Sequence, residues 1–315
     1  MTVHNPSDSQ VLLTKIVTEY FAQQKQQRTW RRIRRSLIVL LILAVGGLFL
    51  FEKLQASRTR ATPHVGLIDI KGEIADGQFS GSADILMKSL KNAYQEQGLK
   101  ALILRIDSPG GSPVQADYMF QTIRYFHTKY PSIKTYAVCV DTCASAAYYV
   151  ASAADEIYAN PSSLVGSIGV VFNGFGFVDA MKKVGITRRL ETAGRNKGFM
   201  DQFSPINPEQ EKSLQAMLNI IHEQFIAQVK LGRGSRLKID DDTFSGLVWT
   251  GRQAKDKGLI DGFASAGQLA RDIIKIDQLV DYTEKQSVLE QMAGKFGSAM
   301  VNQIPEALGL KQGFR

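Results

Sequence analysis

From Val65 to about Gly262, short apolar runs alternate with amphipathic stretches of helical period, and few folds can absorb such a pattern. Alternation of this kind marks an α/β domain, in which helices cover the faces of a largely parallel sheet. Strands are expected at Val65 to Ile70, Ala101 to Ile106, Lys134 to Val140, Glu156 to Ala159, Ile168 to Phe172 and Thr187 to Thr192. Several are continuously apolar, as strands buried on both faces must be. Helices are expected at Ser82 to Gln97, Pro113 to Thr128, a short one starting near Ser145, Phe177 to Val184 and Pro208 to Leu231.

The second helix has the clearest start. Ser112 suits the N-cap, Pro113 the first helical position, and Gln115 the far side of a capping box. Met119, Ile123 and Phe126 then share one face. Near the C-terminus, Val288, Met292, Phe296, Met300, Ile304 and Leu308 recur every four residues, an amphipathic helical tail that Pro305 interrupts.

The N-terminal region follows different rules. Ser36 to Phe51 carries no charge and falls slightly short of the roughly 20 residues that span a bilayer, a gap that Trp30, Ile33 and snorkelling arginines can close. Lys25, Arg28, Arg31, Arg32, Arg34 and Arg35 precede it, and only Lys53, Arg58 and Arg60 follow closely. The positive-inside rule therefore expects an uncleaved signal anchor in the plasma (inner) membrane, with the N-terminus cytoplasmic and everything from about Glu52 onward outside. Much of the +8 net charge sits in this fence, so it reads as topological and nucleic acid is not an expected partner. The organisation expected is a cytoplasmic segment 1–35, an anchor 36–51, a linker 52–62, a main domain 63–285 and a tail 286–315. Cys139 and Cys143, the two cysteines of the chain, supply neither a disulfide framework nor a zinc pattern. They suit small buried positions, although a pair four apart could also oxidise outside the cytoplasm.

Three places carry chemistry. Asp107 to Ser112 is a glycine turn between a strand and a helix, where Gly110 and Gly111 can aim backbone amides at a developing negative charge. It is neither a Walker loop nor a dinucleotide fingerprint, and a mere tight turn is the plain alternative. Ser145, between Ala144 and Ala146 after an apolar strand, stands where nucleophiles often stand, with the Ala146 amide free for an oxyanion. Close helix packing explains the same residues. The four histidines, His4, His64, His127 and His222, are poorly placed to serve it. Lys197, just after the expected strand Thr187 to Thr192, is the remaining base. A lysine does this work only if burial brings its pKa from about 10.4 toward 7 or 8.

Taken together, Leu104 to Gly111, Ser145 to Asp155, Gly166 to Val171 and Ala193 to Lys197 resemble the signal peptide peptidase A family of serine peptidases, and Val248 to Ala254 with Gly258 to Asp261 resembles its later segment. The resemblance implies a Clp protease/crotonase-like spiral of ββα units in the short, single-domain form with one anchor. It implies Ser145 as nucleophile, Lys197 as general base, Ser167 as the residue orienting the lysine, and Gly110, Gly111 and Ala146 as the oxyanion hole, with no cofactor or metal. It also implies a homo-oligomer whose sites are shared between subunits, so that an isolated chain would lack a complete dyad, and peptide substrates such as remnant signal peptides. Ala146 and Ala147 stand where the family commonly has two glycines, which keeps the amide and narrows the pocket. A crotonase-type acyl-CoA enzyme and an inactive peptide-binding scaffold are the alternatives. The outward anchor disfavours the first, and retention of Ser145 and Lys197 disfavours the second.

Overall fold

The computed structural model describes residues 61–78 and 80–284, together with Lys15, Trp30, Arg34 and the helical stretches Ser36–Leu41 and Leu43–Gly47. The tail expected at 286–315 and five of the sixteen residues of the expected anchor, Ile42 and 48–51, lie outside these residues. Among the described residues no helix is long and apolar enough to cross a membrane. Internal contacts divide the chain between Thr59 and Arg60.

The second unit is built on an eight-stranded mixed sheet. β1 (His64–Lys71), β2 (Leu99–Ser108) and β3 (Lys134–Ala144) form its parallel centre, with helices α1 (Ala83–Tyr94) and α2 (Pro113–Lys129) in the crossovers. β2 shows why these segments are strands. Ala101 and Ile103 pack on one face with Val65, Leu67, Tyr136 and Val138. Leu102, Leu104 and Ile106 pack on the other with Ile68, Ile70, Ala137 and Cys139. Side chains alternate across a strand, so a run apolar at every position needs cover on both sides. α1, α2 and the short α3 (Ala146–Ala151) supply it on one face. On the other face α7 (Ala266–Gln268), continued by a π-helical turn through Ile274, contributes Ala266, Leu269 and Ala270.

β3 runs past the expected end at Val140 because it acquires a second partner. Tyr136 to Cys139 pair with β4 (Glu156–Ala159), and Thr142 to Ala144 pair with β5 (Leu164–Gly166). A register break opposite Ile106 and Ser108 of β2 accompanies the change. β6 (Val248–Thr250) closes one edge antiparallel to β5, β7 (Gly262–Phe263) extends β4, and β8 (Leu279–Asp281) lies beside β1. All four were missed in the sequence, being two or three residues long.

Two expected strands do not form. Ile168 to Phe172 is irregular, because the ladder of β5 ends at Gly166 and the chain turns outward, leaving Val171 84% exposed. Thr187 to Thr192 is likewise irregular and exposed. Leu190 is its one apolar residue, and the segment joins no sheet edge among the described residues. The intervening helix α4 (Val178–Lys183) buries no residue.

α2 begins as its sequence predicts, with Ser112 Oγ accepting from the Gln115 amide. The reciprocal half of the capping box is not made. Gln115 Oε1 instead accepts from the Ala83 amide at 2.9 Å, capping α1 and tying the two helices together. α5 (Pro208–Arg233) anchors only through its C-terminal half, at Phe225, Val229 and Arg233. The buried guanidinium of Arg233 donates to Gly258 O and, at 2.7 and 2.9 Å, to both oxygens of Asp261. Asp261 also accepts from the Ile157 amide of β4. A single carboxylate thereby joins α5 to the sheet. α6 (Gly251–Asp256) follows β6 behind a capping box made by Thr250 and Gln253.

Candidate active site

β3 ends at Ala144 and α3 begins at Ala146, and the turn between them is a single residue. Ser145 makes it with φ 55° and ψ −128°, a conformation that side chains other than glycine's rarely adopt. Its amide donates to Gly166 O at 2.8 Å, and its carbonyl accepts from the Tyr149 amide at 3.0 Å. All six residues of α3 are buried. Tyr148 anchors the helix through its hydroxyl, which donates to Leu259 O at 2.7 Å, and burial pushes that phenol's pKa up. The helix is thus fixed from below, and the strained turn holds the serine hydroxyl at its N-terminal end.

The glycine turn meets this elbow. Ser108 Oγ accepts from the Gly110 amide at 3.1 Å, and Asp107 accepts from the Thr142 amide, pinning the turn to β3. Gly110 has φ 110°, and a Cβ there would lie 2.7 Å from that of Ser145 and 3.1 Å from the Ala146 nitrogen. Gly111 has φ 144°, and a Cβ there would lie 2.1 Å from Ile74 O. Both glycines are therefore required by contact as well as by dihedral. Ile74 donates to Gly110 O and accepts from the Ser112 amide, fixing the strip that follows the turn. The Gly110 amide is thus committed to Ser108. Among the described residues the amides of Gly111 and Ala146 have no such acceptor, and they flank Ser145 as oxyanion donors would.

Ser145, Ala146, Gly111 and Ser167 line one cavity of about 540 Å³. Ser167 reaches it through another uncommon dihedral, φ 50°, held by its amide donating to Leu247 O at 2.8 Å. Lys197 is not among the residues of that cavity. It is exposed, in a turn closed by its own amide donating to Gly194 O at 3.0 Å. A single chain therefore brings together the serine, its two amides and Ser167, and leaves the lysine outside. None of His64, His127 and His222 lines the cavity. His64 bonds Tyr282 and Thr62, His127 faces Asp155, and His222 meets Ile168 O. Among the described residues no three metal-ligating side chains converge.

The model of peptidase family S49 matches residues 127–281. An S49 peptidase domain therefore lies within this chain. It is 36% identical over 260 residues to a Brucella abortus protein named Na(+)/H(+) antiporter NhaA, a match covering 81% of this chain and 34% of that one. The chain spans about a third of the length of the two Brucella relatives it matches. It is 27% identical to the putative protease slr0021 of Synechocystis, covering 82% and 92% of the two chains. It is 26% identical to the putative signal peptide peptidase SppA of Enterococcus faecium, covering 71% and 64%. Among solved structures it is similar to a lysine-to-alanine mutant of the 1510-N membrane-bound stomatin-specific protease with a substrate peptide. That likeness has a TM-score of 0.41 at 17% identity and covers 75% of this chain and 98% of that one.

Other residues of this chain line the cavity without having been singled out in the sequence. Asp117 and Tyr149 face each other there, the Tyr149 hydroxyl donating to Asp117 Oδ1 at 2.8 Å. Burial first, and then this bond, push the Tyr149 phenol up. Asp117 stands four residues after Pro113, one turn along the helix, and that spacing was the signal that could have found it. Cys139 and Cys143 are buried and unpaired by any disulfide. Burial, with Cys139 beside it, pushes the Cys143 thiol up, which suits packing and not nucleophilic work.

Proposed function

We propose that this chain is a membrane-anchored serine endopeptidase in which Ser145 is the nucleophile and Lys197, presented by a neighbouring subunit, is the general base. The observation that carries this reading is the strained elbow at Ser145 opening on a cavity between two uncommitted amides. In the mechanism, neutral Lys197 takes the Ser145 proton as Oγ attacks the scissile carbonyl. The oxyanion is held by the Gly111 and Ala146 amides, and the leaving amine receives the proton from Lys197. Water then hydrolyses the acyl-Ser145 ester by the same base. Ser167, at the cavity wall, orients the lysine.

The exposed segment around Lys197 supports a shared site. Phe175 is 71% and Ile206 72% exposed, and α4 has no buried face, so this arm lacks a core of its own and gains one from a second copy. The spiral of the Clp protease/crotonase type is the finer fold we assign, supported by the way β3 passes from one partner strand to the next. The apolar run Ser36 to Phe51 behind its arginine fence supports an inner-membrane anchor with the domain outside. Peptides derived from membranes, remnant signal peptides among them, are the substrates such an enzyme would meet.

The test is hydrolysis of a fluorogenic apolar peptide by the full chain in detergent. Ser145→Ala and Lys197→Ala are each expected to lower kcat/KM by about four orders of magnitude with assembly intact. Full activity in Ser145→Ala would overturn the reading.

A further inference from the structure

The cavity beside Ser145 has apolar walls, with Val114, Ile221 and the buried Phe225 and Tyr149 among them, yet it carries a carboxylate. Asp117 is the single Asp, Glu, Lys, Arg or His side chain in its lining. Its Oδ1 accepts from the Tyr149 hydroxyl and, at 3.5 Å, from Gln121. Among the described residues Oδ2 has no partner. A partly buried carboxylate with an open acceptor attracts a cation that enters the same space. What enters is set by the reaction. The side chain of the residue whose carbonyl is attacked springs from the carbon next to that carbonyl, so it must lie close to Ser145.

We propose that Asp117 makes this cavity a subsite for a long cationic side chain, lysine or arginine, on the residue whose carbonyl is cleaved. The aliphatic stem packs along Val114, Ile221 and Phe225 while the charged end reaches Asp117 Oδ2. A volume of about 540 Å³ holds the longest natural side chain. A carboxylate in the specificity pocket is a known way for a serine peptidase to select cationic residues. An apolar segment flanked by basic residues would satisfy both this subsite and an anchored enzyme. The proposal rests on the peptidase reading of Ser145, whose failure the experiment separates from its own.

The experiment uses matched peptides differing only at that residue, with lysine, arginine or norleucine, and the full chain in detergent. In the wild type, kcat/KM is expected to favour the cationic peptides, and in Asp117→Asn that ratio is expected to fall at least about tenfold. Tyr149→Phe removes the hydrogen bond but keeps the carboxylate, so the preference should survive. A wild-type ratio at or below one, an unchanged ratio in Asp117→Asn, or equal loss in Tyr149→Phe would overturn the proposal. Binding of the same labelled peptides to the Ser145→Ala protein, with and without Asp117→Asn, needs no hydrolysis. If the wild type cleaves none of the peptides, the peptidase reading fails. The binding arm then decides the subsite by itself: tighter cationic binding that disappears with Asp117→Asn upholds it, and equal binding overturns it.

Discussion

Ser145 is held at a positive φ by the strand before it and the buried helix after it, and such a residue costs about 1–3 kcal/mol. Glycine adopts that conformation without the penalty, so Ser145→Gly should raise thermal stability by up to about 1 kcal/mol while abolishing hydrolysis. A melting curve beside an activity assay checks both. Gly110→Ala should instead lower stability, because the new methyl would meet the Ser145 side chain. Activity should fall sharply, with about 1–3 kcal/mol of stability lost. Further from the site, burial would by itself raise the Asp261 pKa, but the hydrogen bonds and charge of Arg233 and the Ile157 amide bring it below the usual carboxylate value. A carboxylate lowered in the folded state contributes stability that is complete above its unfolded value near 3.9 and is lost as pH falls through the native one. Asp261→Asn, which strands the buried guanidinium, should cost about 3 kcal/mol at pH 7. That difference should shrink in denaturant titrations below about pH 4. The pair was not legible in the sequence, since Arg233 and Asp261 belong to separate elements.

At the scale of elements, the central strands were legible because β1, β2 and β3 each bury two faces and so print apolar runs on the sequence. Ile168 to Phe172 prints a similar run and is no strand: Ile168 is buried in the core, but Val171 and Phe172 face outward and no partner strand pairs with the segment among the described residues. Composition records that a segment seeks cover, not where the cover comes from. The same limit explains Gln115. Its spacing from Ser112 suits a capping box, but the side chain spends its acceptor on the first amide of α1. Gln115→Ala should therefore destabilise the domain by about 1 kcal/mol through the loss of that cap. Hydrogen exchange should rise at the start of α1 while the first turn of α2, capped by Ser112, keeps its protection. A loss confined to α2 would return Gln115 to the role its sequence predicts.

For the whole molecule, the separation between Ser145 and Lys197 matters most. If neighbouring subunits complete each site, Ser145→Ala and Lys197→Ala chains, each inactive alone, should regain activity when co-assembled. Equal random mixing in a ring should restore roughly a quarter of wild-type sites. No recovery in verified mixed assemblies would place both residues of each dyad on one chain. Much was decided by the sequence itself: the α/β class, the positions of the central strands, the capped start of α2, and the glycine turn and serine that a strand-to-helix junction makes available. These depend on periodicity and on backbone chemistry between near neighbours, which a linear pattern carries. The tertiary structure alone decided that Gly110 surrenders its amide to Ser108 while Gly111 keeps its own, that Asp117 enters the cavity of Ser145, and that Lys197 stays outside it. Those facts depend on which distant segments meet, and contact is a property of packing that no local pattern records.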